Sequence, residues 1–270
     1  MGIAALASPV TALTLVVRIG SVGVAISSLE SLVRRADLGP RGLLDGTAQL
    51  TRARWLLPFA FLAPPATAVA VTGARLVAAL AVVADGGNLA VARAGVIVIA
   101  VTTLLLRFRT VLGIHASGTM VMVTFTAAAL GEGAGTRRAL EYALVFIAAQ
   151  ACLSYVVAGA SKLGTRSWRA GQAVTLISST LMWGNGNRAL MLRAHPRLAF
   201  ALCWATMLGE CAVPLALVTP LPVAVALLAC AGVFHVVTAM EMGLNSFVWA
   251  FWSTYPAIIF CWYALHGAAA

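Results

Sequence analysis

The 270-residue sequence contains few charged residues and very few acidic ones. Only 10% of its residues are charged, against about a quarter in ordinary soluble domains, so a water-soluble globular protein is excluded. Eight acidic side chains stand against eighteen basic ones, which gives a net charge of +10. The arginines lie singly or in pairs between apolar runs and form no basic stripe. We therefore expect no nucleic-acid partner.

Cysteine is also scarce, and the common catalytic motifs are missing. The five cysteines lie in apolar segments without C-x-x-C spacing, which predicts small packing residues and neither disulfides nor a zinc site. Apart from these, too few histidines and carboxylates share a helical spacing to define a metal site, and we predict none. G-x-S-x-G, P-loop and G-x-G-x-x-G patterns do not occur in the context that each requires.

What the sequence has in abundance is apolar residues along its whole length. They make up 61% of the chain, and the mean hydropathy is +0.97. This pattern predicts an all-α, multi-pass membrane protein embedded in the lipid bilayer, with residues 1–270 forming a single membrane domain. We expect about eight transmembrane helices, near residues 10–29, 66–84, 89–106, 113–130, 140–162, 198–218, 221–242 and 247–265.

Arginine placement predicts the orientation of these helices. Three groups of arginines, twelve residues in all, fall on one side of the predicted membrane, in the segments 34–54, 107–109 and 166–197. Only Arg137 and Arg138 oppose them. The positive-inside rule therefore places both termini outside the cytoplasm. Residues 55–65 are apolar but contain three prolines, which favours an interfacial or re-entrant stretch over a further span.

Four ionisable residues lie within or at the ends of predicted spans: His115, Lys162, Glu210 and His235. A charge at the centre of a span costs at least about 2.5 kcal/mol, so each needs a structural or functional reason. His115 forms a stripe with Thr119, Met122 and Thr126 that we expect to face inward. Glu241 and Asn245 are four residues apart, a spacing that predicts one shared helical face.

Lys162 is the strongest functional candidate because it is the only lysine in the chain. It follows the small residues 158–161, which allow neighbouring helices to pack closely around it. A lysine in apolar surroundings loses its proton more readily, so it can act as a general base or nucleophile, which arginine cannot. The alternative is that Lys162 merely extends to the membrane interface.

The other polar residues each have a structural alternative. Glu210 is either a catalytic carboxylate or the partner of a nearby arginine or helix hydroxyl. His115 and His235 are either satisfied core histidines or functional groups. Tryptophans near the span ends, Trp168 included, fit an interfacial belt or packing.

Three segments together resemble one family. Residues 154–172, SYVVAGASKLGTRSWRAGQ, match a Y-x-x-A-G-x-x-K-L element followed by W-x-x-G. Residues 207–220, MLGECAVPLALVTP, match an acidic residue followed shortly by proline, and residues 234–252 match F-H, Met-Gly and a Phe-led last helix. The first apolar run, with Arg18 inside it, is also similar. The family is the HTTM domain, the membrane part shared by vitamin K-dependent γ-glutamyl carboxylases and many shorter bacterial proteins.

The resemblance implies specific roles. In the carboxylases the lysine of the first motif is the base that deprotonates reduced vitamin K, and that role falls by position on Lys162. His235 matches the F-H histidine, and His115 is similar to a histidine before an apolar helix. A reduced quinone such as menaquinol, together with oxygen, is the implied cofactor. We do not expect protein-directed carboxylation, because the sequence ends at Ala270 without the carboxylases' soluble region and lacks the family's Gly-Gly-Asp stretch.

The leading hypothesis is an intramembrane enzyme of lyase type with a lipid-facing cavity. Lys162 acts as the base on a hydroquinone or another apolar substrate, while Glu210 and His235 orient groups or relay protons. Substrate contacts are expected from His115, Tyr155, Trp168, Glu241 and Asn245.

Two other classes of function stay open. One is isoprenoid transformation such as terpene cyclisation, in which Glu210 or Glu241 steers a carbocation and Asn185, Asn187 and Arg188 lie near a diphosphate. Magnesium is expected only in that case, and the paired aspartates that usually bind it do not occur. The other is a non-catalytic membrane partner or immunity protein, in which Lys162 is structural and a soluble or membrane subunit associates with the chain.

Overall fold

The computed structural model describes residues 2–38, 54–109 and 116–267. Throughout this part of the chain the regular structure is helical, without β-strands. The α-helices are α1 (Pro9–Val33), α2 (Pro65–Val83), α3 (Leu89–Arg109), α4 (Ala116–Ala134), α5 (Arg137–Gly164), α6 (Arg166–Arg169), α7 (Ala173–Ser178), α8 (Gly186–Ala194), α9 (Pro196–Ala212), α10 (Leu221–Met242), α11 (Asn245–Trp252) and α12 (Tyr255–Leu265). In the same described ranges, four 3-10 helices cover Ile3–Ala7, Arg35–Leu38, Arg54–Leu62 and Val213–Leu217.

Within the described residues, seven helical segments are long and apolar enough to cross a membrane. They correspond to seven of the eight predicted spans, which confirms an all-α, multi-pass membrane protein. The predicted span at 113–130 coincides with α4, which is helical but is not one of the seven. The proline-containing stretch at 55–65 forms the 3-10 helix Arg54–Leu62 and no α-helical span.

The chain divides into two compact units. The unit Pro9–Leu144 is built from α1 to α4, with α2 packed between α1 and α3 and with α4 against α1 and α3. On α1 the buried positions recur every three or four residues, from Ala12 to Ser28, as expected for one helix face. Many of these buried residues are small, which permits close helix packing inside a membrane.

The unit Met1–Ser8 with Val145–Ala270 contains the second half of α5 and α6 to α12. Helix α10 packs against α9, α11 and α12, and the 3-10 helix Ile3–Ala7 packs against α12. The predicted connection 163–197 folds into the short helices α6, α7 and α8. The last predicted span consists of α11 and α12, separated at Ser253 and Thr254, whose hydroxyls donate hydrogen bonds to the carbonyls of Ala250 and Phe251.

Three sequence predictions need correction. Thr119 and Thr126 are exposed, because the buried face of α4 runs instead through Ser117, Met120 and Thr124, so the predicted inward stripe is wrong. The proposed first member of that stripe, His115, lies outside the described residues.

Glu241 and Asn245 do not share a helical face. Helix α10 ends at Met242, the backbone turns at Gly243 with φ of 68°, and α11 begins at Asn245. Cys230 is exposed and is not a core residue, although Cys152, Cys203 and Cys261 are buried as predicted.

Candidate functional site

One face of the last turns of α5 carries the polar residues of the candidate site. Tyr155 and Lys162 are seven residues apart, which is close to two helical turns, so they lie on the same face. Gly159 lies between them on this face. The sequence motif Y-x-x-A-G-x-x-K thus corresponds to a single helical surface with a small residue at its centre.

Gly159 permits close contact between α5 and α9. A β-carbon at this position would lie 2.5 Å from Sγ of Cys211 and 3.0 Å from the carbonyl oxygen of Met207. A larger residue would therefore push the two helices apart. The close contact brings the end of α5 against the last turn of α9, where Glu210 lies directly before Cys211.

Lys162 and Glu210 form an ion pair at this helix contact. The ammonium donates hydrogen bonds to both carboxylate oxygens, with Nζ to Oε1 at 2.8 Å and Nζ to Oε2 at 2.6 Å. The Glu210 side chain is only 8% exposed and that of Lys162 is 21% exposed. Lys162 Nζ also lies 5.4 Å from the centre of the Trp168 ring, within cation–π range. Glu210 is therefore ion-paired, and its partner is a lysine and not an arginine.

A second group of polar side chains surrounds the Tyr155 hydroxyl. Its oxygen lies 2.7 Å from Nε2 of His235 on α10 and 3.0 Å from the hydroxyl oxygen of Tyr255 on α12. The His235 ring stacks on Phe251 with ring centres 4.5 Å apart. His235 is buried, and in the part of the chain that the structure describes its Nδ1 has no hydrogen-bond partner. One hydroxyl thus joins three helices of this unit.

A cavity of about 360 Å³ lies between α9 and α10. Glu210, Tyr155 and Thr206 contribute its polar side chains, and the rest of the wall is almost entirely apolar. Several wall residues, including Leu202, Val233 and Val237, are exposed on the surface of the chain. Because both helices are candidate membrane spans, these exposed apolar residues fit a cavity that opens toward lipid. Neither Lys162 nor His235 lines the cavity. Lys162 is bonded to Glu210 and His235 to Tyr155, and both of these partners do line it.

The predicted residues of the connection 163–197 form a separate group. Nη2 of Arg188 lies 2.6 Å from Oε1 of Glu241, an ion pair between α8 and α10. Asn185 is the N-cap of α8, and its side chain accepts hydrogen bonds from the backbone N–H groups of Asn187 and Arg188. Asn245 is exposed at the first residue of α11.

The final glycine of the W-x-x-G element has a backbone role. Gly171 follows α6 with φ of 74°, in the left-handed region that favours glycine. A β-carbon there would lie 2.6 Å from Cα of Phe200 on α9. Gly171 therefore lets the segment that carries Trp168 turn closely over α9.

Sequence reasoning missed Tyr255 and Thr206. Tyr255 follows the break between α11 and α12, and nothing in its local pattern distinguishes it from an interfacial tyrosine. Thr206 is one turn before Glu210 on α9, and this four-residue spacing could have predicted that both side chains lie on one face.

The assembled groups suit proton transfer. A carboxylate faces an apolar cavity, an ammonium lies behind it, and a tyrosine hydroxyl is held by histidine. Among the described residues, no group of three or more His, Cys, Asp or Glu side chains is placed to bind a metal ion.

No family model, curated protein or solved structure matches the chain. The resemblance to the HTTM domain therefore stays a prediction from the sequence segments described above. The function has to be argued from the geometry of the site itself, because a fold does not by itself specify a reaction.

Proposed function

We propose that this protein is an intramembrane enzyme that removes a proton from the hydroxyl group of an apolar substrate, with a reduced quinone as the leading candidate. The observation that carries the proposal is the Lys162–Glu210 pair, whose carboxylate lines an apolar cavity between two membrane helices. Proton transfer is the reaction that these groups are equipped to perform. The similarity to the HTTM domain favours the quinone within the class of apolar hydroxyl compounds.

The cavity suits such a substrate in size and chemistry. Its volume of about 360 Å³ is at the lower end of the roughly 300–1,000 Å³ found for small-molecule sites. Apolar walls favour a flat aromatic ring, and Glu210, Tyr155 and Thr206 offer polar contacts to hydroxyl groups. Its exposed apolar residues give a membrane-dissolved molecule a route into the site without passage through water.

Glu210 is the group placed to receive the proton. In the ion pair the lysine is an ammonium and cannot accept one, whereas the carboxylate has free lone pairs and lines the cavity. Proton transfer to Glu210 leaves one negative charge on the substrate oxygen and one positive charge on Lys162. The net charge of the site is unchanged, which avoids the cost of creating an isolated charge in the membrane.

Lys162 therefore acts with Glu210 as one unit. Its ammonium is bonded to both oxygens of the carboxylate before the reaction and balances the new oxyanion afterwards. The base role that the family resemblance assigns to Lys162 becomes, in this geometry, a role shared by the pair. Trp168 covers the ammonium and helps to hold it in place.

Tyr155 supplies the second polar contact of the cavity. Its hydroxyl is fixed by His235 and Tyr255, so its position in the wall is set before a substrate arrives. We assign Tyr155 to substrate orientation and His235 to holding Tyr155. A bound reduced quinone would itself supply the hydroxyl group and the ring that becomes reactive toward oxygen.

The experiment uses purified protein in lipid nanodiscs with reduced menaquinone and air. Quinol consumption is followed by absorbance, products are identified by mass spectrometry, and protein-free nanodiscs correct for spontaneous oxidation. We expect consumption above this background, and a loss of about 10²- to 10⁴-fold in Glu210→Gln and in Lys162→Met. Retention of the full rate by both variants, or no consumption by the unmodified protein, would contradict the proposal.

Two controls separate chemistry from stability. Glu141→Gln removes a carboxylate from the exposed Arg137–Glu141 pair, so it should leave the rate unchanged. The double variant Lys162→Met with Glu210→Leu removes both charges and should fold, since loss of a complete buried pair is far less damaging than loss of one partner. We expect this double variant to be folded and inactive.

Isoprenoid transformation has less support from the geometry. Arg188 and Glu241 are paired with each other, and Asn185 is occupied as a helix cap. These contacts give each residue a structural role without a diphosphate. An additional arm of the same experiment, with farnesyl diphosphate and magnesium in place of the quinol, should give no cyclised product.

A further inference from the structure

Arg75 lies near the middle of α2 and is bound by two hydroxyl groups of α1. Its Nε donates to Oγ of Ser28 at 2.9 Å, and its Nη2 donates to Oγ of Ser27 at 3.1 Å. Both helices are candidate membrane spans within the unit Pro9–Leu144. A guanidinium at such a position requires partners, because neither lipid nor apolar side chains solvate it.

The two hydroxyl partners are neutral and leave the positive charge uncompensated. Ser27 and Ser28 each donate their own proton to the carbonyl oxygen of Val24, so their lone pairs face the arginine. In the described residues no carboxylate forms an ion pair with Arg75, in contrast to Arg18, Lys162 and Arg188. A half-buried cation on a membrane helix is unfavourable without a counter-charge, and an anionic ligand would relieve that cost.

The geometry leaves one edge of the guanidinium open. The serines occupy the edge formed by Nε and Nη2. The opposite edge carries one N–H from each Nη atom, in the parallel arrangement that binds two oxygens of a phosphate or carboxylate. Arg75 is half-buried, and its Nη1, which has no hydrogen-bond partner among the described residues, is not fully enclosed, so this edge is reachable from the surface of the helix pair.

The same end of the unit carries charges of both signs, with Glu30 and Asp37 close in sequence to Arg34 and Arg35. Arg34 and Arg35 follow α1 and are exposed. With a rise of about 1.5 Å per residue, Arg34 lies roughly 9 Å beyond Ser28 along the helix direction. The orientation predicted from the sequence places this end in the cytoplasm, where the membrane leaflet contains anionic lipids.

We propose that Arg75, held by Ser27 and Ser28, is a binding site for a phosphate group, supplied by an anionic phospholipid of the surrounding leaflet. The serines fix the guanidinium, and the open edge binds two phosphate oxygens. This site is independent of the Lys162–Glu210 site, which lies in the other unit.

The first test measures lipid retention by native mass spectrometry. Protein is purified with equimolar phosphatidylglycerol and phosphatidylcholine, and the bound lipids are counted for each variant. We expect a preference for phosphatidylglycerol that falls by at least roughly tenfold in Arg75→Gln, since a charge-assisted bidentate contact is lost. Arg75→Lys should lose most of the preference, because a lysine ammonium lacks the two parallel N–H groups that contact two phosphate oxygens. Arg138→Gln removes an equal charge at an exposed position and should keep it.

The second test compares thermal unfolding in detergent without lipid, with phosphatidylglycerol, and with inorganic phosphate. Without lipid, Arg75→Gln should unfold at the same temperature as the unmodified protein or higher, because an uncompensated charge is removed. Phosphatidylglycerol should raise the unfolding temperature of the unmodified protein but not that of Arg75→Gln. An equal shift in both proteins, or a lipid retention by Arg75→Gln equal to that of the unmodified protein, would overturn the proposal. A shift with inorganic phosphate alone would overturn the lipid as the source of the phosphate.

Discussion

At the scale of single residues, Tyr155 connects the cavity to the interior of its unit. Its hydroxyl is the common partner of His235 and Tyr255, and its ring contacts Phe251 with centres 5.1 Å apart. In an apolar environment the loss of either hydrogen bond destabilises the protein, because no water is present to bond with the unsatisfied polar atom. His235 already has one nitrogen without a partner among the described residues.

We predict that Tyr155→Phe destabilises the protein by about 1–3 kcal/mol, since it leaves Nε2 of His235 without its partner. Tyr255→Phe should cost less, about 1 kcal/mol, because the contact between Tyr155 and His235 remains. Thermal unfolding in a fixed detergent measures both effects. Tyr142→Phe, at an exposed tyrosine, serves as the control and should not change the unfolding temperature.

Residue identity alone predicted part of this site. A single lysine after a run of small residues marked Lys162, and an acid inside an apolar helix marked Glu210. Their mutual contact was not predictable, because the two residues are separated by 48 positions in the sequence. The local sequence of neither helix indicates which other helix it packs against. The same holds for Arg75, whose hydroxyl partners lie on another helix.

At the scale of helices, the contact between α5 and α9 positions the ion pair. Gly159 is the residue that permits it, since a β-carbon there would lie 2.5 Å from Cys211 Sγ and 3.0 Å from the Cys211 backbone nitrogen. The backbone nitrogen belongs to α9 itself and cannot rotate away as a side chain can. Any larger residue at 159 must therefore separate the helices.

We predict that Gly159→Ala destabilises the protein by about 1–3 kcal/mol, the usual cost of overpacking a close contact. It should also lower quinol consumption in the nanodisc assay, because Lys162 and Glu210 move apart with their helices. Gly164→Ala, at the end of the same helix, meets no atom within 4 Å and should have little effect on either measurement. Equal behaviour of the two variants would show that the close contact does not matter.

Hydropathy predicted the helices well and their interruptions poorly. Apolar runs of about 20 residues are easily recognised, because the bilayer requires that length. The break between α11 and α12 was missed, although Pro256 stands at the start of α12, where proline is common; Ser253 and Thr254 donate their hydroxyls to local backbone carbonyls there. The turn at Gly243 was likewise overlooked when Glu241 and Asn245 were assigned to one face.

At the scale of the whole molecule, the distribution of arginines predicts the orientation in the membrane. Twelve arginines lie on one predicted side and two on the other. We predict that alkaline phosphatase fused to Ala270 is active and that a fluorescent protein fused there is dark, because the positive-inside rule places this terminus outside the cytoplasm. Insertion of the same reporters after Trp183 should give the reverse result. If the same reporter were active at both positions, the result would contradict this orientation.

The cavity illustrates what the whole sequence leaves undetermined. Its wall combines residues from α5, α9 and α10 that are separated by many positions along the chain. Each of these helices is apolar on most of its surface, so periodicity does not reveal which side faces a neighbour and which side faces lipid. Only the packed structure shows that Glu210 and Tyr155 border the same space.

The carboxylate of Glu210 belongs both to the cavity wall and to the link between α5 and α9. A molecule that transfers a proton to this oxygen also weakens the electrostatic attraction between the two helices. Protonation of Glu210 by a ligand and loosening of the adjacent helix contact are therefore coupled. The strength of that contact would then depend on the acidity of the bound ligand.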